Sequence, residues 1–325
     1  MSEIKNSLSN LRFVILAAGN GTRNYPHSKG LVHKSLLPFG SMRMLDETLR
    51  CINEISLEGK PKVTMVVSNK EVEKYFLEAL EKDTKVENKF RNNGREKQAE
   101  LLSKLSILDK IDLSFIYQET PKGVGQAIGL VKNAFPEENL PFFTIFSDDL
   151  IFPKVGTDLS KYKQPITRMA ERYINEGCEG NLYFTKVVNN PERWGIIDEG
   201  YITEKPTHLK TGEASFVGFI LDREVISNLG DAAKNVEIKG TEEYNRWNNE
   251  GKEIYQMPYI NAAVEKDFEK MAIRTEVLKK EDEILMDGGS LEGYEKVLIQ
   301  TLLTSSINKE ENIEFAKVVL NELNK

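Results

Sequence analysis

Phe13 to Ala18 is an unbroken run of six apolar residues that stops at Gly19-Asn20-Gly21. A strand with one face in water alternates apolar and polar residues, so an unbroken run suits a strand covered on both faces. The segments Lys62–Ser68 (KVTMVVS), Leu113–Tyr117 (LSFIY) and Pro141–Leu150 (PFFTIFSDDL) read as further strands, the last ending in acid. Helical patterns lie between them. Leu45, Leu49 and Ile52 share one face of MLDETLRCINEI, charged amphipathic stretches run over about Lys70–Lys82 and Arg95–Leu108, and GVGQAIGLVKNAF follows Tyr117. Strands alternating with helices predict an α/β fold: a doubly wound, mostly parallel, Rossmann-like sheet with helices on both faces. Sites in such sheets lie beyond the carboxyl ends of the strands, where the glycine turn and Asp148-Asp149 both fall. The second half is more mixed. Strands are expected at Asn181–Val188, Gly195–Ile197, Tyr201–Thr203 and Ala214–Leu221, a helix at Glu242–Asn249, and helical patterns from Leu291 onward. No repeat or low-complexity linker divides the chain; one domain over residues 1–300 and a helical tail over 301–325 are expected.

The formal net charge of −7 and the lack of a long basic block argue against a general nucleic-acid binder. Cys51 and Cys178 are the two cysteines and form no CxxC pair, so they read as small buried side chains rather than zinc ligands or a redox pair. MSEIKNSLSN has no apolar signal region, and no apolar run reaches the length of a membrane span. A cytoplasmic protein with no membrane partner is the expectation.

Two phosphate-loop patterns fail on inspection. Gly19-Asn20-Gly21-Thr22-Arg23-Asn24 lacks the third glycine of the dinucleotide fingerprint, and Lys34-Ser35 follows His33 where a P-loop requires Gly. The chemistry of anion binding is still present. Gly19 and Gly21 leave main-chain N–H groups open to an anion, Arg23 offers a planar fork, and Lys34 a compact charge. The alternative is an ordinary surface turn with solvated basic residues.

LAAGNGTR followed by Lys34-Ser35-Leu36-Leu37-Pro38 resembles the signature LAAGxGTR…PKxxLP of sugar-1-phosphate nucleotidyltransferases. His33 stands where that family usually has proline, and Lys29 sits where the bacterial UTP–glucose-1-phosphate uridylyltransferases carry a second lysine, at a spacing one residue longer. Gln118…Lys122-Gly123-Val124-Gly125-Gln126-Ala127 is similar to the family's Q…KGxGxA, Arg193-Trp194-Gly195-Ile196-Ile197-Asp198 to RYGIVD, Glu204-Lys205-Pro206 to EKP, and Asp287–Tyr294 to DxGTPEGY. Met286 takes a place often held by an aromatic residue, and Ser290 falls where a Thr-Pro pair is usual.

The resemblance implies residue roles. Ala17, Ala18, Gly19, Gly21 and Thr22 would line the nucleotide, with Gln118 and Gly123 at the base. Arg23 and Lys34 would act in nucleotidyl transfer. Gly195 would lie against the sugar, Glu204 would accept from its hydroxyls and Lys205 would hold its phosphate. Asp148 and Asp287 would hold Mg²⁺, with Asp149 the poorer ligand because neighbours on a strand point opposite ways. Taken singly, each segment also reads as a turn, a cap or a surface ion pair. The long charged stretch Lys70–Lys110 and Asp148-Asp149-Leu150 are similar to the uridylyltransferases. The resemblance therefore implies UTP and glucose 1-phosphate as substrates, UDP-glucose and pyrophosphate as products, and a dimer or tetramer as the assembly. Thymidylyl transfer, another sugar phosphate, or a non-catalytic nucleotide-binding relative are the alternatives.

Overall fold

A computed structural model of the chain describes residues 7–19, 33–39, 42–105, 107–154, 157, 158, 161–288, 290, 292 and 294–297. Gly21, Thr22, Arg23, Lys29 and the tail 301–325 lie outside the described residues. In chain order the strands are β1 Arg12–Ala17, β2 Pro38–Phe39, β3 Met42–Arg43, β4 Lys62–Val67, β5 Asp112–Tyr117, β6 Phe142–Ile145, β7 Asp149–Pro153, β8 Asn181–Val188, β9 Gly195–Asp198, β10 Tyr201–Glu204, β11 Gly212–Leu221, β12 Ile273–Val277 and β13 Glu283–Asp287. The helices are α1 Met44–Asn53, α2 Lys70–Leu80, α3 Thr84–Asn92, α4 Glu96–Leu105, α5 Val124–Ala134, α6 Pro165–Asn175, α7 Arg223–Asn235, α8 Glu242–Asn248, α9 Met257–Lys266 and α10 Phe268–Met271.

A nine-stranded sheet runs β10-β9-β11-β6-β1-β4-β5, with β8 on β11 and β12 on β8. β6, β1, β4 and β5 pair in parallel. β11 joins β6 antiparallel and begins the mixed half. The unbroken apolar run behaves as its pattern requires. Phe13, Ile15 and Ala17 pack into a core with α1, α2 and α6, while Val14 and Ala18 join α5, α7 and α9 on the opposite face. Local signals set the helix starts: Asn69 accepts from the Glu71 and Val72 N–H groups, both at 3.0 Å, satisfying two orphan donors of α2.

Two differences from the sequence reading bear on the site. The fourth strand is two strands, because the chain turns at Phe146–Asp148 with the Asp149 N–H donating to the Phe146 carbonyl at 3.2 Å. β7 then leaves the main sheet to pair with β13. The charged stretch after β4 is three helices, with α3 inserted between the two expected.

α5 and α7 cross at Gly129. A Cβ there would lie 2.1 Å from the Leu229 carbonyl oxygen and 2.6 Å from the Ala233 Cβ. Gly129→Ala gains roughly 1 kcal/mol of helix propensity, but forcing the helices apart costs roughly 1–3 kcal/mol. The clash is with backbone, so a net loss of stability in urea unfolding is expected; an unchanged or raised midpoint would contradict the close crossing.

Candidate active site

β1 and β6 end side by side, with Ile15 opposite Ile145. The segments that leave the two strands meet at the carboxyl edge. Lys34 stands in a 3-10 turn, Lys34–Leu36, and its Nζ donates to Asp148 Oδ2 in a largely buried ion pair. Two cavities flank this pair. One, about 230 Å³, is lined by Ala18, Gly19, Lys34, Gln118, Gly123 and Asp148 among others. The other, about 240 Å³, is lined by Lys34, Asp148, Asp149, Trp194, Phe216 and Asp287, with Phe146 and Ser215. Lys34, Phe146 and Asp148 belong to both.

In the first cavity the orientation of Gln118 is fixed by backbone. The Lys122 N–H donates to Gln126 Oε1 at 2.9 Å, so that oxygen is an acceptor; Gln118 Nε2 then donates to it at 2.7 Å and to the Gly123 carbonyl at 3.1 Å. Both amide protons are used, and Gln118 offers a ligand only its oxygen. Gly123, at φ +102°, has the chain itself as its neighbour: a Cβ would lie 2.5 Å from the Ile254 carbonyl oxygen. The Ile254 N–H donates to the Lys122 carbonyl at 2.7 Å and its carbonyl accepts from the Gly125 N–H at 2.9 Å. These bonds pin the segment carrying Glu253, which lines the same cavity.

In the second cavity Asp148 and Asp287 share a wall. The Gly288 N–H donates to the Asp148 carbonyl at 2.7 Å, and Asp287 pairs across the β7–β13 ladder with Asp149. Among the described residues no group of three or more His, Cys, Asp or Glu side chains is arranged to hold a metal ion. Two carboxylates on one cavity nevertheless fit Mg²⁺, which binds through one or two carboxylates and takes its other ligands from water and substrate phosphates. Asp149 lines the same cavity but opens β7, while Asp148 lies in the turn before it. Asp149 Oδ2 accepts from the Val217 N–H at 2.9 Å, and burial, then the Asp148 charge, push its pKa well above the usual carboxylate range.

Gly195, Glu204 and Lys205 form a group of their own on the β9–β10 hairpin, where Gly195 pairs with Glu204. Glu204 Oε1 is 3.4 Å from Lys205 Nζ in an exposed ion pair. None of the three lines either cavity; their neighbour Trp194 does, packed on Phe216 with ring centroids 4.9 Å apart. Ala17 is buried at the end of β1, beneath the site.

His33, Trp194, Ser215, Phe216 and Glu253 line the site without having been assigned to it. His33 stands in place of proline because it caps the turn that carries Lys34. The Ser35 N–H donates to its Nδ1 at 3.1 Å, which places the proton on Nε2. Burial first, then the Lys34 charge, lower its pKa to about 4, against an opposing pull from Asp148. An asparagine or histidine ahead of a short turn is the signal that could have marked it.

The comparisons with known proteins bear on the family and the fold. Residues 12–289 match the family model of nucleotidyl transferases, and the chain belongs to that family. Over 142 residues it is 30% identical to the UTP–glucose-1-phosphate uridylyltransferase of Bacillus subtilis, a match covering 42% of this chain and 44% of that relative. The chain thus spans less than half the length of the curated relatives it matches. Among solved structures, a UDP-glucose pyrophosphorylase from Acinetobacter baumannii superposes with a TM-score of 0.70 at 16% identity, covering 95% of this chain and 98% of the other. A protein described as a glucose-1-phosphate thymidylyltransferase from Bacillus anthracis gives 0.60 at 18% identity, covering 92% and 96%. At such identities the likeness speaks for the fold. No helix among the described residues is long and apolar enough to cross a membrane.

The His33 shift makes a pH prediction. Its folded pKa of about 4 lies below the unfolded value of 6.5. The unfolded chain therefore binds the extra proton first, and stability present above pH 6.5 is lost as the pH falls toward 4. His33→Asn keeps an acceptor for the Ser35 N–H but cannot titrate. Between about pH 7 and 4.5 the wild type should lose roughly 2–3 kcal/mol more than His33→Asn in urea unfolding. Parallel curves would contradict a buried neutral imidazole.

Proposed function

We propose that the chain transfers a uridylyl group from UTP to glucose 1-phosphate, giving UDP-glucose and pyrophosphate, with Mg²⁺ as cofactor. The observation that carries the reading is the meeting of two cavities at one Lys34–Asp148 pair. A transferase that joins two phosphates needs two substrate pockets sharing one charged boundary.

The first cavity takes the nucleotide. The oxygen that Gln118 offers suits a base with an N–H on its pairing edge, as uracil has at N3. Gly19 lines this cavity, and Arg23, outside the described residues, is assigned to the β- and γ-phosphates. The second cavity takes the sugar phosphate against Trp194 and Phe216; Lys205 and Glu204, which do not line it, are assigned to the sugar phosphate through Trp194, the neighbour of Gly195 on the same hairpin. A phosphate oxygen of glucose 1-phosphate attacks the α-phosphorus of UTP, and the bond to the α–β bridging oxygen breaks to release pyrophosphate. The attacking oxygen is already anionic, so positioning and charge neutralisation carry the rate and no base is required. Lys34 supplies its ammonium at the boundary where charge develops, and Asp148 holds it there before substrate arrives. Mg²⁺, held by Asp148 and Asp287, would neutralise the reacting phosphates when bound.

Asp148→Asn and Asp287→Asn should each abolish turnover while leaving thermal unfolding near that of the wild type. Near-normal rates in either would remove that residue from the metal site. Lys34→Ala should lower kcat by roughly 10²-fold or more, the scale of losing one transition-state contact, and an unchanged kcat would take Lys34 out of the mechanism. Pyrophosphate release with glucose 1-phosphate, run in parallel with UTP, dTTP, CTP, ATP and GTP, tests the base. Preference for UTP is expected; preference for dTTP would make the chain a thymidylyltransferase, and silence with all five would overturn the assignment of substrates.

A further inference from the structure

β11 is not a regular strand. Ser215 lies opposite Thr185 of β8, but Phe219 lies opposite Tyr183, so four steps on β11 span two on its partner. The surplus is taken up at Val217, which sits at φ +59° and is buried. A β-branched side chain in the left-handed region is an outlier that survives only where its surroundings hold it. Cys178, Glu199, Lys205 and Val217 are the non-glycine residues of positive φ among those described, and Val217 alone of these is β-branched.

Both backbone groups of Val217 are held by one turn. Its carbonyl accepts from the Phe146 N–H at 2.7 Å, and its N–H donates to Asp149 Oδ2 at 2.9 Å. Phe146 and Asp149 bracket Asp148, and Asp149 is fixed in turn by its place opposite Asp287. On the other side of Val217, Ser215 and Phe216 form a wall of the second cavity, and Phe216 packs on Trp194. Gly218 lies so close to β6 that a Cβ would be 2.3 Å from the Thr144 carbonyl oxygen, which leaves the bulge no room to slide.

We infer that Asp149 is a positioning residue: its side-chain oxygen clamps the strained bulge of β11 and so locks the sugar-phosphate wall, Ser215 and Phe216, to the turn that carries Asp148. The inference rests on the proposed function for the identity of that wall's ligand. It separates the two aspartates by task, with Asp148 turned to the ligand and Asp149 to the protein's own backbone. The clamp needs an acceptor oxygen at residue 149 rather than a charge. Asparagine supplies one; alanine does not.

The test uses the full chain in a Trp247→Phe background, so that Trp194 alone reports by emission and near-ultraviolet circular dichroism. Asp149→Asn should keep the Trp194 signature, and its KM for glucose 1-phosphate should stay well below that of Asp149→Ala. Asp149→Ala should shift the signature and raise KM for glucose 1-phosphate by about tenfold, the scale of one lost hydrogen bond, while KM for UTP stays within about threefold. Adding Val217→Gly, which accepts the left-handed backbone without a clamp, should restore both in the Asp149→Ala chain and its solubility if that chain aggregates. Three results would overturn the inference: Asp149→Ala matching the parent in signature and KM, Asp149→Asn losing as much as Asp149→Ala, or no rescue by Val217→Gly. If the parent turns over none of the nucleotides, the proposed function falls, and the Trp194 signatures still decide the clamp.

Discussion

The parallel pairing of β1 with β6 sets two carboxyl ends side by side, so the chain leaving β1 and the turn leaving β6 must share one edge. Every other feature of the site depends on that placement. Lys34 and Asp148, 114 residues apart in sequence, become an ion pair there. Largely buried pairs of this kind add little to stability once desolvation is counted. What this pair does is set opposite charges at the boundary between two cavities. His33 supports the same arrangement by staying neutral and capping the turn that presents Lys34.

Each cavity is closed by a contact no local pattern announces. Glycines at 123 and 125 admit the backbone of Ile254, which brings Glu253 to the first cavity. Beside the second cavity the turn at Phe146–Asp149 grips the bulge of β11. In both cases a hydrogen-bonded backbone crossing, rather than a side chain alone, fixes the wall, and such crossings are rigid because an unpaired buried N–H or carbonyl is costly. The approach of Ile254 is therefore enough to require glycine at 123, whatever that residue also does for a base.

The parallel half of the sheet was legible because burial on both faces leaves an unbroken apolar run in Phe13–Ala18 and in Val63–Val67, broken there only by Thr64. Lys34, Gln118, Asp148 and Asp287, singled out in the sequence by their resemblance to family motifs, line the two cavities. The bulge at Val217 was not legible, since register in β11 is set by β6, β8 and β9 together and no residue there but Gly218 is a turn former. α6, α7 and α9 passed unremarked although each opens on a start signal, Pro165 and Pro258 in the first turns of α6 and α9 and Asp222 capping α7 by accepting from the Glu224 N–H. The acceptor role of Gln118 was within reach, because Gln126 lies only eight residues on, but it needs the Lys122 N–H to fix which way both amides face.

The division of nucleotide from sugar phosphate at Lys34 and Asp148 is tested most directly by a crystal structure with Mg²⁺ and a UTP analogue that cannot release pyrophosphate. The base should lie within hydrogen-bond reach of the Gln118 oxygen and the α-phosphate at Lys34, with the cavity beside Trp194 and Phe216 left open. A nucleotide seated against Trp194, or phosphates bound away from Lys34 and Asp148, would contradict it.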